Sequence, residues 1–180
     1  MNTNKSKTKI YCNVSNHDIT KKEFKTIQKR MHKNIENDGL IQNQEKFLFE
    51  GEKLKDVIEK DKIYLDSVSI TFEQIAGRLE TLIEKFYHME NLHYSKTKKL
   101  QNNYIIEDKY EINYDDKQNF NRQCPFQNVE LDNIYYGYSH YGKFSIINLQ
   151  NKKQIQIDTV QIHMIKCHNF FGGPKSSQRL

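Results

Sequence analysis

Apolar residues recur at helical spacing through the first half of this chain and alternate with polar ones through much of the second. From Ile19 to Glu36, Phe24, Ile27, Met31 and Ile35 fall three or four apart among lysines, and Gly39 follows Asn37-Asp38 as a stop. That pattern predicts a surface helix with one buried stripe. Glu52 to Lys60 places Leu54, Val57 and Ile58 on one face and predicts a shorter helix, with Ile63, Tyr64 and Leu65 leading to a break at Asp66-Ser67. Phe47-Leu48-Phe49, between the two, is too short to show either period and is expected to pack beneath the helices.

The strongest helical signal starts at Thr71, which with Gln74 forms a capping box. Behind it Phe72, Ile75, Ala76, Leu79, Leu82, Ile83 and Phe86, with Tyr87 beside them, line one side of a helix expected to end near Asn91 and to be the central packing element of the N-terminal half. Gly77 inside that run suggests close approach by another element.

After residue 103 the period becomes two. Tyr104-Ile105-Ile106, then Tyr110, Ile112 and Tyr114, predict strands, with Asp115-Asp116-Lys117 as a turn. Ile134 to Tyr138 and Phe144 to Leu149 flank Ser139-His140-Tyr141-Gly142 as a hairpin, and Gln154 to Ile157 is a further strand reached through Asn151-Lys152-Lys153. Asp158 and Gln161 form a second capping pair, opening a helix in which Val160, Met164, Ile165 and Phe171 share a face. Gly172 and Gly173 are expected to supply its left-handed stop, with Pro174 preventing resumption. The fold class is therefore α+β: a helical N-terminal half packed on a small antiparallel sheet closed by a C-terminal helix. The expected segments are 1–16 as a tail or short strand (Lys9 to Val14), 17–103 as the helical region and 104–180 as the β-rich region with its terminal helix, together one compact unit.

Hydrophobic residues make up 36% and charged residues 28%, a polar balance whose apolar positions are nonetheless regular enough to build an interior. The net charge of +5 would favour an acidic partner, but acidic side chains are interleaved throughout and a solvated mixed surface explains the bias as well. Three cysteines, Cys12, Cys124 and Cys167, are an odd number and too few for a disulfide scaffold; reduced thiols and a cytoplasmic setting are expected. No run approaches the ~20 apolar residues of a membrane span, and the N-terminal MNTNKSKTK has no apolar core behind its lysines, so neither a membrane nor a secretory route is expected.

The densest chemistry lies between Asp158 and Pro174. His163 and His168 form an H-x4-H pair, within the spacing used by the histidine half of small zinc sites. Cys124, stiffened by Pro125, is a third candidate ligand, and Cys167, His140 or Asp116 could supply a fourth. If these residues bind a cofactor, the one expected is zinc, in a structural role, because no carboxylate is poised beside the histidines as a general base. The same residues also suit plain packing: His163 as a hydrogen-bonded interface residue, His168 at a helix C-terminus, Cys124 as a small buried hydrophobe. A Cys124 nucleophile with His163 or His168 as base is a further alternative, without a recognisable orienting residue or oxyanion hole. Phosphate loops, G-x-S-x-G elbows, H-E-x-x-H and calcium loops are absent from the sequence.

Two features point toward nucleic acid. Ile70 to Leu79 resembles the first helix of a helix-turn-helix, although its apolar pattern continues without a turn through Leu82, Ile83 and Phe86. Tyr94 beside Lys96, Lys98 and Lys99 pairs a stacking ring with phosphate-binding charge, as a solvated connector also would.

The run Gln123-Cys124-Pro125-Phe126, Tyr135-Tyr136-Gly137-Tyr138, Phe144 to Asn148, His163-Met164-Ile165 and His168-Asn169-Phe170-Phe171 resembles a group of uncharacterised proteins sharing a Cys-Pro-aromatic element, an I-x-N strand, an H-[ML]-I-x-x-H-x-F-[FY]-E-G helix and a closing Y-R-[LV]. It covers roughly the last third of the chain. The chain departs from that pattern at Gly172, in place of an acid, and at Gln178, in place of an aromatic. The resemblance implies no activity, but it implies that Cys124, His163 and His168 belong to one unit. The function expected is a non-catalytic binding or assembly module with a structural zinc and an unidentified protein partner; the alternatives are a nucleic-acid-binding accessory protein and a Cys-His hydrolase.

Overall fold

A computed structural model describes residues 21–32, 46–115, 124–126, 143–176 and 179. These residues form a mixed α+β fold of four helices and a four-stranded antiparallel sheet. In chain order they are α1 (Lys21–Met31), α2 (Leu54–Ser67), α3 (Phe72–Thr97), β1 (Asn103–Ile106), β2 (Tyr110–Asp115), β3 (Lys143–Asn148), β4 (Gln154–Ile157) and α4 (Thr159–His168). The strand expected over Lys9 to Val14, the ends of the first helix, the turn at Asp116-Lys117 and the Ile134 to Tyr138 arm lie outside the described residues.

The sheet order is β1-β2-β3-β4, each strand antiparallel to the next. Its register places Tyr104 opposite Ile112, Ile112 opposite Ile146, and Phe144 opposite Ile157, so one face is apolar from edge to edge. α3 and α4 cover that face. Phe86 is the hub, set edge-on to Tyr104 at 5.3 Å and to Phe144 at 5.6 Å. The other face is polar, with Asn103 Nδ2 donating to Glu111 Oε1 at 2.9 Å. The β1–β2 turn holds Glu107 and Asp108 at positive φ (56° and 50°), a conformation unusual outside glycine. Arg78 and Lys85 of α3 bind the Glu107 carboxylate and tie that turn to the helix; they hold it well below the usual range, at about 2.

Three helix boundaries differ from expectation. α2 runs on through Ile63, Tyr64 and Leu65 to Ser67, because nothing before Ser69 (φ 55°) interrupts it and Leu65 continues its buried stripe. α3 extends to Thr97 and ends on Lys98 in the left-handed conformation (φ 58°). α4 ends at His168, capped by Asn169 (φ 53°), not by the glycines, and Phe171 lies beyond the helix, stacked on Phe72 at 4.8 Å. Asn tolerates the left-handed position because its short polar side chain bonds locally. Both capping boxes are present as expected, at Thr71/Gln74 and Asp158/Gln161.

Gly77 does not mark a close approach: a Cβ there would meet nothing within 4 Å. The close approach is at Gly173, where a Cβ would collide with the Glu52 carboxylate and stand 2.9 Å from the Phe47 carbonyl oxygen. That contact is part of a strap. Gly173 N donates to Phe47 O at 2.7 Å, Ser176 Oγ to Lys46 O at 2.8 Å, and Lys175 N to Glu52 Oε1 at 3.0 Å. Arg179 pairs with buried Asp61 of α2 and donates to Gly172 O at 2.7 Å. The C-terminal residues are thereby fastened to the helical half.

Two apolar clusters result. The first joins α3 to the sheet and takes Ile162 and Ile165 from α4. The second gathers Ile27 and Met31 of α1, Phe47 and Leu48, the α2 face Leu54, Val57 and Ile58, Cys124 and Phe126, and Val160, Met164 and Phe170. α4 is thus packed between the two clusters, with eight of its ten residues buried.

Candidate metal centre

α4 presents one apolar face, Ile162 and Ile165, to the sheet core, which turns His163 and His168 toward the second cluster. Cys124 reaches them from the Cys124-Pro125-Phe126 segment, which is held from two sides. Arg30 Nη1 of α1 donates to Pro125 O at 3.2 Å, and the Phe126 ring lies flat on His168 at 3.8 Å with planes 5° apart. Proline at 125 narrows the backbone choices around the thiol. Residues 44 apart in the chain are so brought into contact.

The three donor atoms lie within 4.8 Å of one another and all three residues are buried. Cys124 Sγ is 3.3 Å from His168 Nε2, and His168 Nε2 is 3.2 Å from His163 Nε2. For a tetrahedral ion with bonds of ~2.3 Å to sulfur and ~2.0–2.1 Å to nitrogen, simple trigonometry requires about 3.5 Å between S and N and about 3.3 Å between N and N. The Cys124–His168 and His168–His163 spacings are close to that requirement, and Cys124 and His163 lie within 4.8 Å of each other. The cluster could hold a metal ion as it stands.

Electrostatics favour the same conclusion. Burial, assisted by Lys166, pushes His163 down to about 4, and burial together with His163 pushes His168 down to about 3. Both rings are therefore neutral at pH 7 and offer lone pairs. His168 Nε2 lies against both Cys124 Sγ and His163 Nε2, while its Nδ1 is buried without a hydrogen-bond partner among the described residues. An unmade bond of that kind costs roughly 1–3 kcal/mol. The ring is positioned for its Nε2.

Among the other expected ligands, Cys167 is buried but stands outside the group, and His140 and Asp116 lie outside the described residues. Met164 was assigned only to an apolar face by its spacing; its Sδ is 3.8 Å from Cys124 Sγ. The signal for it was present as M-x3-H, the spacing that sets Met164 and His168 on one helical face. Phe126, too, belongs to the site.

Cys124 and His168 touch as a nucleophile and base would, yet neither is accessible, and among the described residues none accepts or donates a hydrogen bond at His168 Nδ1 as an orienting group would. Tyr94, Lys96, Lys98 and Lys99 sit together at the exposed end of α3, with Lys98 Nζ 5.7 Å over the Tyr94 ring. Ile70 to Leu79 opens an unbroken helix, so the turn a helix-turn-helix would need after it is absent. No helix among the described residues is long and apolar enough to cross a membrane. No family model, no curated protein and no solved structure matches this chain.

Proposed function

We propose that the chain is a non-catalytic binding or assembly module whose second core is stapled by zinc held on Cys124, His163 and His168. The supporting observation is the convergence of three buried donors from two distant segments within 4.8 Å of one another. A thiolate and two imidazoles are a zinc donor set. Because the donors are enclosed, the ion would link Cys124 to α4 and add folding energy, with no approach for a substrate. The cytoplasmic, reducing setting expected of the thiols would keep Cys124 available as a ligand.

The test is elemental analysis of protein purified without chelator, beside a His163→Ala/His168→Ala variant, with unfolding followed with and without chelator. One zinc per chain, lost in the variant, and chelator sensitivity confined to the native protein are expected. Chelator-insensitive stability in metal-free native protein would return the three residues to ordinary packing.

A second reading rests on the exposed cluster of Tyr94, Lys96, Lys98 and Lys99, a ring with three cations suited to single-stranded nucleic acid. It requires binding that weakens steeply with salt; no shift of single-stranded DNA or RNA at low salt would end it.

A further inference from the structure

The zinc reading leaves one buried sulfur unused. Met164 Sδ is 3.8 Å from Cys124 Sγ, and Met164 is fully enclosed, with 1% of its surface exposed. Two sulfurs bound to one tetrahedral ion through ~2.3 Å bonds would stand about 3.8 Å apart. On α4, Met164 follows His163 directly and lies four residues before His168, on the same face as that ring. The thioether therefore borders the thiolate from the helix that carries both imidazoles.

We infer that Met164 supplies the fourth donor of this centre and that the completed set of Cys124, His163, His168 and Met164 takes copper(I) in preference to zinc. The inference rests on the preceding reading that Cys124, His163 and His168 hold a metal. Zinc is bound by thiolate, imidazole and carboxylate, and a thioether adds nothing to it. Soft sulfur donors suit copper(I) and zinc alike, but two histidines with one cysteine and a weak, more distant methionine are an arrangement copper uses and one outside the usual zinc ligands. Zinc would then fill the site only where copper is withheld.

The experiment uses the full chain, stripped of metal and kept reduced without oxygen. Copper(I) is titrated in competition with a coloured copper(I) chelator and zinc in competition with a zinc chelator, for native protein, Met164→Leu and Cys124→Ser. Leucine preserves the volume of the core position. Expected is tighter copper(I) than zinc binding by native protein, a loss of roughly tenfold or more in copper(I) affinity for Met164→Leu with zinc affinity unchanged, and loss of both metals in Cys124→Ser. Zinc binding by Met164→Leu also reports that the variant is folded. Equal effects of Met164→Leu on the two metals, or none on either, would overturn the role of Met164 and leave the three-ligand centre standing. Failure of native protein to bind either metal would overturn both.

Discussion

The two apolar clusters are built on different principles. The first is assembled from α3, four strands paired in chain order, and one face of α4, and every side chain in it is carbon-rich apart from the Tyr104 hydroxyl. The second is gathered from α1, Phe47 and Leu48, α2, Cys124 and Phe126, and the other side of α4, and it encloses a thiol and two imidazoles. In the first, β1 with β2 and β3 with β4 are joined by short turns that close little chain, while residues 116–142 separate β2 from β3. Segments far apart in the chain must overcome more closure entropy before contact returns anything. A metal link has most to contribute in the second cluster, and that is where the donors lie.

The contrast breaks hardest at Phe86. Phe86→Ala removes the ring on which Tyr104 and Phe144 rest and should cost roughly 3–5 kcal/mol. The loss, read from denaturant unfolding, should be the same with and without chelator, since the first cluster contains no ligand. A chelator-dependent loss would mean that the clusters are not energetically distinct.

Acid should act on the second cluster. In metal-free protein both imidazoles are held neutral by burial, so between pH 6.5 and about 4 the unfolded chain binds protons that the folded chain does not. Stability then rises with pH across that window and is lost as pH falls, by roughly 3 kcal/mol for His163 alone. Denaturation midpoints at pH 7, 5 and 4 should show the slope, and the His163→Ala/His168→Ala variant should flatten it. An equal slope in the variant would assign the acid sensitivity to carboxylates.

The smallest effect compares the two capping boxes. Thr71→Ala, at an exposed cap feeding only the first cluster, should cost on the order of 1 kcal/mol. Asp158→Ala, at a buried cap that aims α4 into both clusters, should approach ~2 kcal/mol and also weaken metal retention. Equal costs, with metal content unchanged, would show that the site does not depend on where α4 begins.

Much of the first cluster was legible because its information is local. The capping box at Thr71, the stripe from Phe72 to Phe86 and the alternation of Tyr110, Ile112 and Tyr114 each lie within one element, and each is present in the structure. Helix ends were less legible. Ser69, Lys98 and Asn169 terminate helices from left-handed positions that no glycine announced, and Gly172 and Gly173, which do look like a stop, lie in the strap.

What the sequence determined by itself was the mixed α+β class, both capping boxes, and the candidacy of Cys124, His163 and His168, since residue type and short-range period are properties of the chain alone. Only the tertiary structure decided that α4 is packed between both clusters, that Arg30 and Phe126 hold Cys124 against His168, and that Met164 turns its sulfur to the same place. The physical reason is distance along the chain. A contact across 44 residues leaves no periodicity to read, and it is set by how the two clusters share one helix.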